Sequence, residues 1–333
     1  MPSASPNELR LIAEALNLSR VEKTQTVQSL WSGYGELYRI CSPERPSESF
    51  IVKSVKLPKH SSHPRGWSGE RGHDRKVKSY HVESHWYGHY GPSFVAKCPM
   101  PRAHLLEEQD DGFILVLSDL DGQGYTQRPS SLQDESLEPY LRWLANFHVL
   151  GLGSTCDGLW DPGSYWHLAT RPDELEAIAD IRLKNAAGPI DRRLRQARHQ
   201  TIIHGDAKLA NFCVMPQSDK VAMVDFQYVG RGVGVQDLAY FLSSALSPQG
   251  CAAREKEALS IYFDALKEAL EAFAPSVDHQ SLIHEWTSLY TWAWADFVRF
   301  LAGWAPSHYK LDRYSLELTQ EVLIEIEKAS PGY

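Results

Sequence analysis

Hydrophobic and polar positions change period several times along the chain, and each change predicts an element. From Ser5 the pattern is that of an amphipathic helix, with Ser5 as cap, Pro6 in the first turn and Glu8 placed as the acid of a capping box. In "VQSLWSGYGELYRICS" β-rich residues flank Ser32, Gly33 and Gly35, which predicts a strand, a tight glycine turn and a second strand. A third strand follows at 47–57 with Lys53 in its middle, and the next twenty residues lack periodicity and predict a loop. Residues 76–90 place Val77, Tyr80 and Ser84 on one spacing and Glu83, Trp86 and Tyr87 on a neighbouring one, as a helix does. "DGFILVLSDLDGQG" is a hydrophobic strand that stops in an acidic, glycine-rich break at 118–124, which predicts a boundary between domains 1–117 and 118–333. Beyond it helical patterns dominate, at 131–150, 172–186, 237–273 and 280–304, with strand-like pieces only near 212–215 and 221–226. No internal repeat is present.

Composition narrows the picture. A chain of 333 residues that is 43% hydrophobic and 23% charged has material for one large core or two lobes. Its net charge of −8 removes the usual electrostatic reason to expect a nucleic-acid partner, leaving only a local basic patch as a route to one. Five cysteines lie far apart without a Cys-x-x-Cys pair, which argues against a zinc knuckle or disulfide scaffold and for a reducing, cytoplasmic setting. The N-terminus lacks the basic and apolar regions of a secretory leader, and no segment approaches the ~18 uncharged apolar residues of a membrane span.

The chemistry concentrates in "IIHGDAKLANFCV" and "KVAMVDFQ". Two short strands joined by "PQSDK" bring Asn211 and Asp225 to the base of one hairpin. Hard oxygen ligands gathered there suit Mg2+, which takes one or two protein oxygens and completes its shell with phosphate and water. Asp206, on the loop before the hairpin, is left to accept a proton. This is an arrangement for phosphoryl transfer: a metal neutralises phosphate charge and one aspartate orients the hydroxyl nucleophile.

His204-Gly205-Asp206 with Asn211, then Asp225-Phe226, then "GVGVQDLAYFL" with Asp237, resembles the aminoglycoside phosphotransferase and choline kinase superfamily. The branch it is most similar to is the ecdysteroid-kinase-like group of small-molecule kinases. The resemblance covers about residues 30–305 and implies an α+β, protein-kinase-like fold of two lobes, with a five-stranded antiparallel N-lobe and a mainly helical C-lobe. It implies that Ser32, Gly33 and Gly35 cover the ATP phosphates, that Lys53 positions them with Glu83 as its helix partner, and that the backbone at Ser118 to Leu120 holds adenine. Asp206 would be the base, Asn211 and Asp225 the Mg2+ ligands, and His204 and Asp237 structural braces of the loop. The expected activity is ATP- and Mg2+-dependent transfer of the γ-phosphate to a hydroxyl of a small molecule. The competing class is an inactive pseudokinase that binds nucleotide or protein.

Departures from the protein-kinase pattern matter too. Only 12 positions separate Asp225 from Asp237, too few for an activation segment, and no Ala-Pro-Glu follows, so a polypeptide substrate is not expected. Gln227 stands where a glycine would complete Asp-Phe-Gly, and Lys208, two after Asp206, resembles the lysine of Ser/Thr protein kinases, which implies contact with the γ-phosphate where the bland reading is an exposed loop lysine. His81, His85 and His89 recur every four residues, a spacing that could chelate a metal or simply form a polar helix face. In "HEWTSLYTWAWADFVRFLAGW" aromatics fall on all sides of a buried helix, which makes Asp296 an expensive charge unless paired. Trp292 and Asp296 therefore suggest an acceptor pocket for an amine-bearing or polycyclic alcohol, while Arg299 offers Asp296 a purely structural partner.

Overall fold

The computed structural model describes residues 4–30, 33–57, 69–109 and 111–329. Helix α1 (Pro6–Ala15) begins where Ser5 accepts the Glu8 N–H at 3.1 Å. The Glu8 carboxylate does not close the capping box: it is buried and accepts the Tyr38 hydroxyl at 2.7 Å, tying the helix to the sheet beneath it.

That sheet contains β1 (Glu22–Ser29), β2 (Gly35–Ser42), β3 (Arg45–Lys56), β4 (Ala103–Gln109) and β5 (Gly112–Ser118), in the order β1-β2-β3-β5-β4 with every pairing antiparallel. β5 is an unbroken apolar run because it lies inside the sheet and is buried throughout. One face presents Tyr38, Ile40, Phe50, Val52, Ile114 and Val116 to Ile12 and Ala13 of α1 and to Leu16 just after it. Lys53 alternates away from that face, in register with Leu37 and Leu115.

Helix α2 (Gly69–His85) starts earlier than the pattern predicts. Residues 69–77 carry too few apolar positions to show a period, yet the turn is fixed by His73, whose Nδ1 lies 2.7 Å from the Tyr34 hydroxyl, and by Lys76 over the Tyr80 ring at 4.8 Å. A π-helical turn at Trp86–Tyr90 leads into α3 (Gly91–Phe94).

The helical part holds α4 (Glu138–Leu150), α5 (Pro172–Glu176), α6 (Ile181–Arg195), α7 (Gly234–Ala245), α8 (Pro248–Phe273), α9 (His279–Trp304) and α10 (Arg313–Ala329). The apolar run 237–273 is two helices, because Ser247 caps a new start at Pro248 by accepting the Gly250 N–H at 3.1 Å. Asp180 likewise separates α6 from α5 by accepting the N–H groups of Arg182 and Leu183. The strands β6 (Thr201–Ile203) and β9 (Gly230–Gly232) pair antiparallel, and β7 (Phe212–Val214) with β8 (Val221–Met223) forms the hairpin expected from the sequence.

The chain divides into two compact units: Met1–Gln127 with Cys213–Val224, and Arg128–Phe212 with Asp225–Tyr333. In the first, the hairpin is pinned by the N–H of Gln127 to Val214 and that of Met223 to Pro99, while Cys213 and Ala222 pack with Leu120 and Tyr125. In the second, α9 is buried on nearly every side, and a Cβ on Gly303 would lie 1.8 Å from the Glu174 carbonyl of α5. The α+β, protein-kinase-like fold is thus observed. Among the described residues no helix is long and apolar enough to cross a membrane. All five cysteines are free thiols.

Candidate active site

In the first unit the turn between β1 and β2 depends on glycine twice over. Gly33 has φ +77°, and Gly35 has φ +124° with a hypothetical Cβ only 2.0 Å from the Ser54 carbonyl. Ser32 lies outside the described residues. The structure brings Lys53 and Glu83 together: Nζ donates to Oε2 at 2.6 Å, both side chains are buried, and Nζ lies 5.6 Å from the Tyr80 ring centre. The β5 end is more constrained than the sequence suggests. The Ser118 N–H donates to the Arg102 carbonyl, and the Leu120 carbonyl accepts from Gln123 and Tyr125. Asp119 and Asp121 of the acidic break are both gripped by Arg39, and Ser49 donates to Asp119 at 2.7 Å. Burial pushes the Asp119 pKa up, but Arg39 and Ser49 win and the net shift is downward.

In the second unit a bracing network holds the loop after β6. Asp237, fully buried on α7, accepts the N–H groups of His204 at 2.6 Å and Gly205 at 2.9 Å, and its Oδ2 lies 3.1 Å from His148 Nε2. His148 Nδ1 sits 2.8 Å from the Tyr262 hydroxyl. Gly205 has φ +76°, and a Cβ there would lie 2.2 Å from the Tyr228 carbonyl, so only glycine turns the chain between His204 and Asp206.

The turn delivers Asp206 to a cluster. Lys208 Nζ donates to its Oδ2 at 2.8 Å, and Asn211 Nδ2 donates to its backbone carbonyl at 2.8 Å and to Oδ2 at 3.2 Å. Asp225 follows with φ +70°, a left-handed conformation that aspartate tolerates better than most residues. Burial raises the Asp206 pKa to about 6; Lys208 pulls it down, and the neighbouring Asp225 charge adds to the rise. For Lys208 burial works downward, yet the adjacent Asp206 carboxylate prevails and its pKa rises. A carboxylate with a pKa close to neutral is suited to taking a proton.

The donor set fits a hard divalent cation. Asn211 spends its NH2 on Asp206, so its amide oxygen is the atom it can offer, and the Asp225 carboxylate lies near enough to Asp206 to act on it electrostatically. Among the described residues no three His, Cys, Asp or Glu side chains form a metal cluster.

Three further side chains around Asp206 were not singled out by sequence reasoning. Tyr240, on α7 one turn after Asp237, and Tyr165 are buried phenols whose pKa values burial raises, with the Asp206 charge adding to both shifts. Lys310, between α9 and α10, is lowered to about 8, first by burial, with Lys208 and Asp206 among its electrostatic neighbours. Tyr240 could have been read from its helical spacing to Asp237, whereas Lys310 sits in a segment without periodicity.

Trp292 and Asp296 are not part of this cluster. Asp296 accepts from Arg299 through Nη2 at 2.7 Å and Nε at 2.9 Å, and from Trp166 Nε1 at 2.8 Å. The structural partner that the sequence offered is the one observed, because a buried carboxylate beside a buried guanidinium pairs with it. Trp292 is buried with the Arg193 guanidinium 5.9 Å from its ring centre. Asp296 instead lines a cavity of about 200 Å3 with Asp161, His167, Asp191, Arg195 and Gln236, none of them from the Asp206 cluster. His85 and His89 stack at 4.0 Å between ring centres, and His81 Nδ1 lies 3.7 Å from Glu108.

A sequence model of the phosphotransferase enzyme family matches residues 47–284. The chain belongs to the phosphotransferase enzyme family. This phosphotransferase resembles solved structures of small-molecule kinases. An amicoumacin kinase in complex with AMP-PNP, Ca2+ and Ami is 13% identical, with 98% of this chain and 95% of that one covered and a TM-score of 0.53, which shows the shared fold. An aminoglycoside-3'-phosphotransferase of type VIII is 17% identical over 83% of this chain and 97% of its own, with a TM-score of 0.44. A choline kinase from Streptococcus pneumoniae is 14% identical over 96% and 98%, with a TM-score of 0.47. No curated protein matches the sequence.

Proposed function

We propose that this phosphotransferase moves the γ-phosphoryl group of ATP, with Mg2+, onto a hydroxyl of a small molecule. The observation that carries the reading is the buried Asp206, raised to about 6 and held by Lys208 and Asn211 beside Asp225. Above that pKa the carboxylate is ionised and accepts the proton the acceptor hydroxyl loses as it attacks phosphorus. Asn211 and Asp225 are the residues that would hold Mg2+, which would neutralise charge on the nucleotide phosphates. Lys208 keeps Asp206 oriented and brings a positive charge to the transferring group. His204 and Asp237 stay outside the chemistry and fix the loop.

Residues 1–117 act as the nucleotide lobe in this reading and 118–333 as the lobe for catalysis and acceptor. Lys53, steadied by Glu83, orients the phosphates, and the glycine turn at Gly33 and Gly35 covers them. The Ser118 carbonyl and the Leu120 N–H are the backbone groups assigned to adenine, because the Ser118 N–H and Leu120 carbonyl are engaged in the fold. Five free thiols support a reducing, cytoplasmic setting.

Thermal unfolding with ATP tests the assignment. The wild-type protein is expected to gain stability from ATP only when Mg2+ is present, and Asp225→Ala to lose that gain. ATP stabilisation that survives Asp225→Ala at the same Mg2+ concentration would remove Asp225 from the metal site.

A further inference from the structure

Near Asp206 the second unit holds a cation that forms no ion pair, Asp206 acting on it only from a distance. Lys310 Nζ lies 5.5 Å from the centre of the Tyr240 ring and 5.6 Å from that of Phe297, with the Ser243 hydroxyl at 3.5 Å. Among the described residues no Asp or Glu comes within ion-pairing distance of it. Other shielded cations are treated differently: Lys23 pairs with Glu36, Lys53 with Glu83, Arg171 with Glu174 and Arg299 with Asp296. Aromatic faces offset only part of the cost of withdrawing an ammonium from water, so an anion gains by arriving there.

The position of Lys310 says what that anion belongs to. Tyr240 borders both Lys310 and Asp206, since its ring faces the ammonium and its phenol lies in the field of the carboxylate. Lys208, already committed to Asp206, is an electrostatic neighbour of Lys310. His308 fixes the turn by accepting the Lys310 N–H at 3.2 Å. A molecule whose hydroxyl meets Asp206 therefore reaches Lys310 across a single tyrosine.

We propose that the acceptor is a small hydroxy compound carrying an anionic group, a carboxylate or phosphate a few bonds from the reacting hydroxyl, and that Lys310 binds this group. The inference rests on the phosphotransfer reading above. Lys310 acts on the acceptor's affinity and choice, while Asp206 acts on its proton.

The test is an NMR titration of the full chain with 3-hydroxypropionate, 4-hydroxybutyrate, glycerate and glycerol 3-phosphate, set against the corresponding amides, glycerol and 3-aminopropan-1-ol. At least one anionic compound should bind about ten-fold or more tightly than its neutral counterpart, as a charge-assisted hydrogen bond provides. Lys310→Met should erase the preference and Lys310→Arg should keep it, with thermal unfolding confirming that both variants are folded. The proposal is overturned if no anionic compound outbinds its neutral counterpart, or if Lys310→Met retains the preference. It is also overturned if Lys310→Met weakens MgATP instead, which would make Lys310 a nucleotide contact. Parallel MgATP consumption separates the two readings. Turnover that requires Asp206, without anion preference, sinks this inference alone; no MgATP consumption with any compound or with water sinks both.

Discussion

Replacing Asp206 by Asn should make the protein more stable while disabling it. Burial moves this carboxyl from 3.8 to about 6 in the folded chain, and a gap of about 2 units is worth about 3 kcal/mol. That figure already contains the attraction of Lys208, which is one of the influences on the group. The sign follows from proton counting. Below pH 4 the carboxyl is protonated in both folded and unfolded chains and contributes nothing. Between about 4 and 6 the folded state holds a proton the unfolded state has lost, so stability falls as pH rises, and above 6 the full cost is present. Asparagine keeps the shape and has no charge to bury. Urea denaturation of wild type and Asp206→Asn at pH 8, 6 and 4 should show the variant more stable by up to about 3 kcal/mol at pH 8, the gap closing towards pH 4. The same substitution should lower kcat by about 100-fold or more, and wild-type kcat should rise with pH through about 6 as the base ionises. A variant equally or less stable at pH 8, or a gap that ignores pH, would show that the buried Asp206 charge does not cost the fold stability.

The remaining expectations are structural. Asp237→Asn sets an amide against the His204 and Gly205 N–H groups; it should cost about 1–3 kcal/mol and speed amide exchange at those two positions, measured by mass spectrometry. Asp296→Ala leaves the buried Arg299 without its partner and should cost about 3–5 kcal/mol in urea denaturation, with no selective effect on acceptor KM. Gly33→Ala meets open space and should lower stability by only about 1 kcal/mol, whereas Gly35→Ala drives a Cβ to 2.0 Å from Ser54 and should cost clearly more in the same assay.

Elements with a strong period were legible from the sequence, and so were residues whose chemistry demands a fixed spacing. The β1 to β3 strands, α9 and the hairpin around "PQSDK" belong to this group, whereas the Lys53 to Glu83 pairing was legible only through the family resemblance. Short or aperiodic pieces were not. β6 and β9 are three residues each, one of them Gly-Arg-Gly, too short to alternate. The first turns of α2 are held by His73 and Lys76 rather than by an apolar stripe. Long-range partners were the hardest, because nothing local announces them: Glu8 with Tyr38, Arg39 with Asp119, and Lys310 beside Tyr240. For Asp296 the sequence offered an acceptor or Arg299; the structure shows Arg299, together with Trp166, which nothing local announces.

Phosphate transfer itself is the most direct test. The protein is incubated with MgATP and a pool of small hydroxyl compounds, and new phosphate monoesters are sought by mass spectrometry. At least one monoester is expected to form only with Mg2+ and to fall about 100-fold or more with Asp206→Asn. No monoester and no ATP consumption, or an undiminished yield from Asp206→Asn, would contradict it.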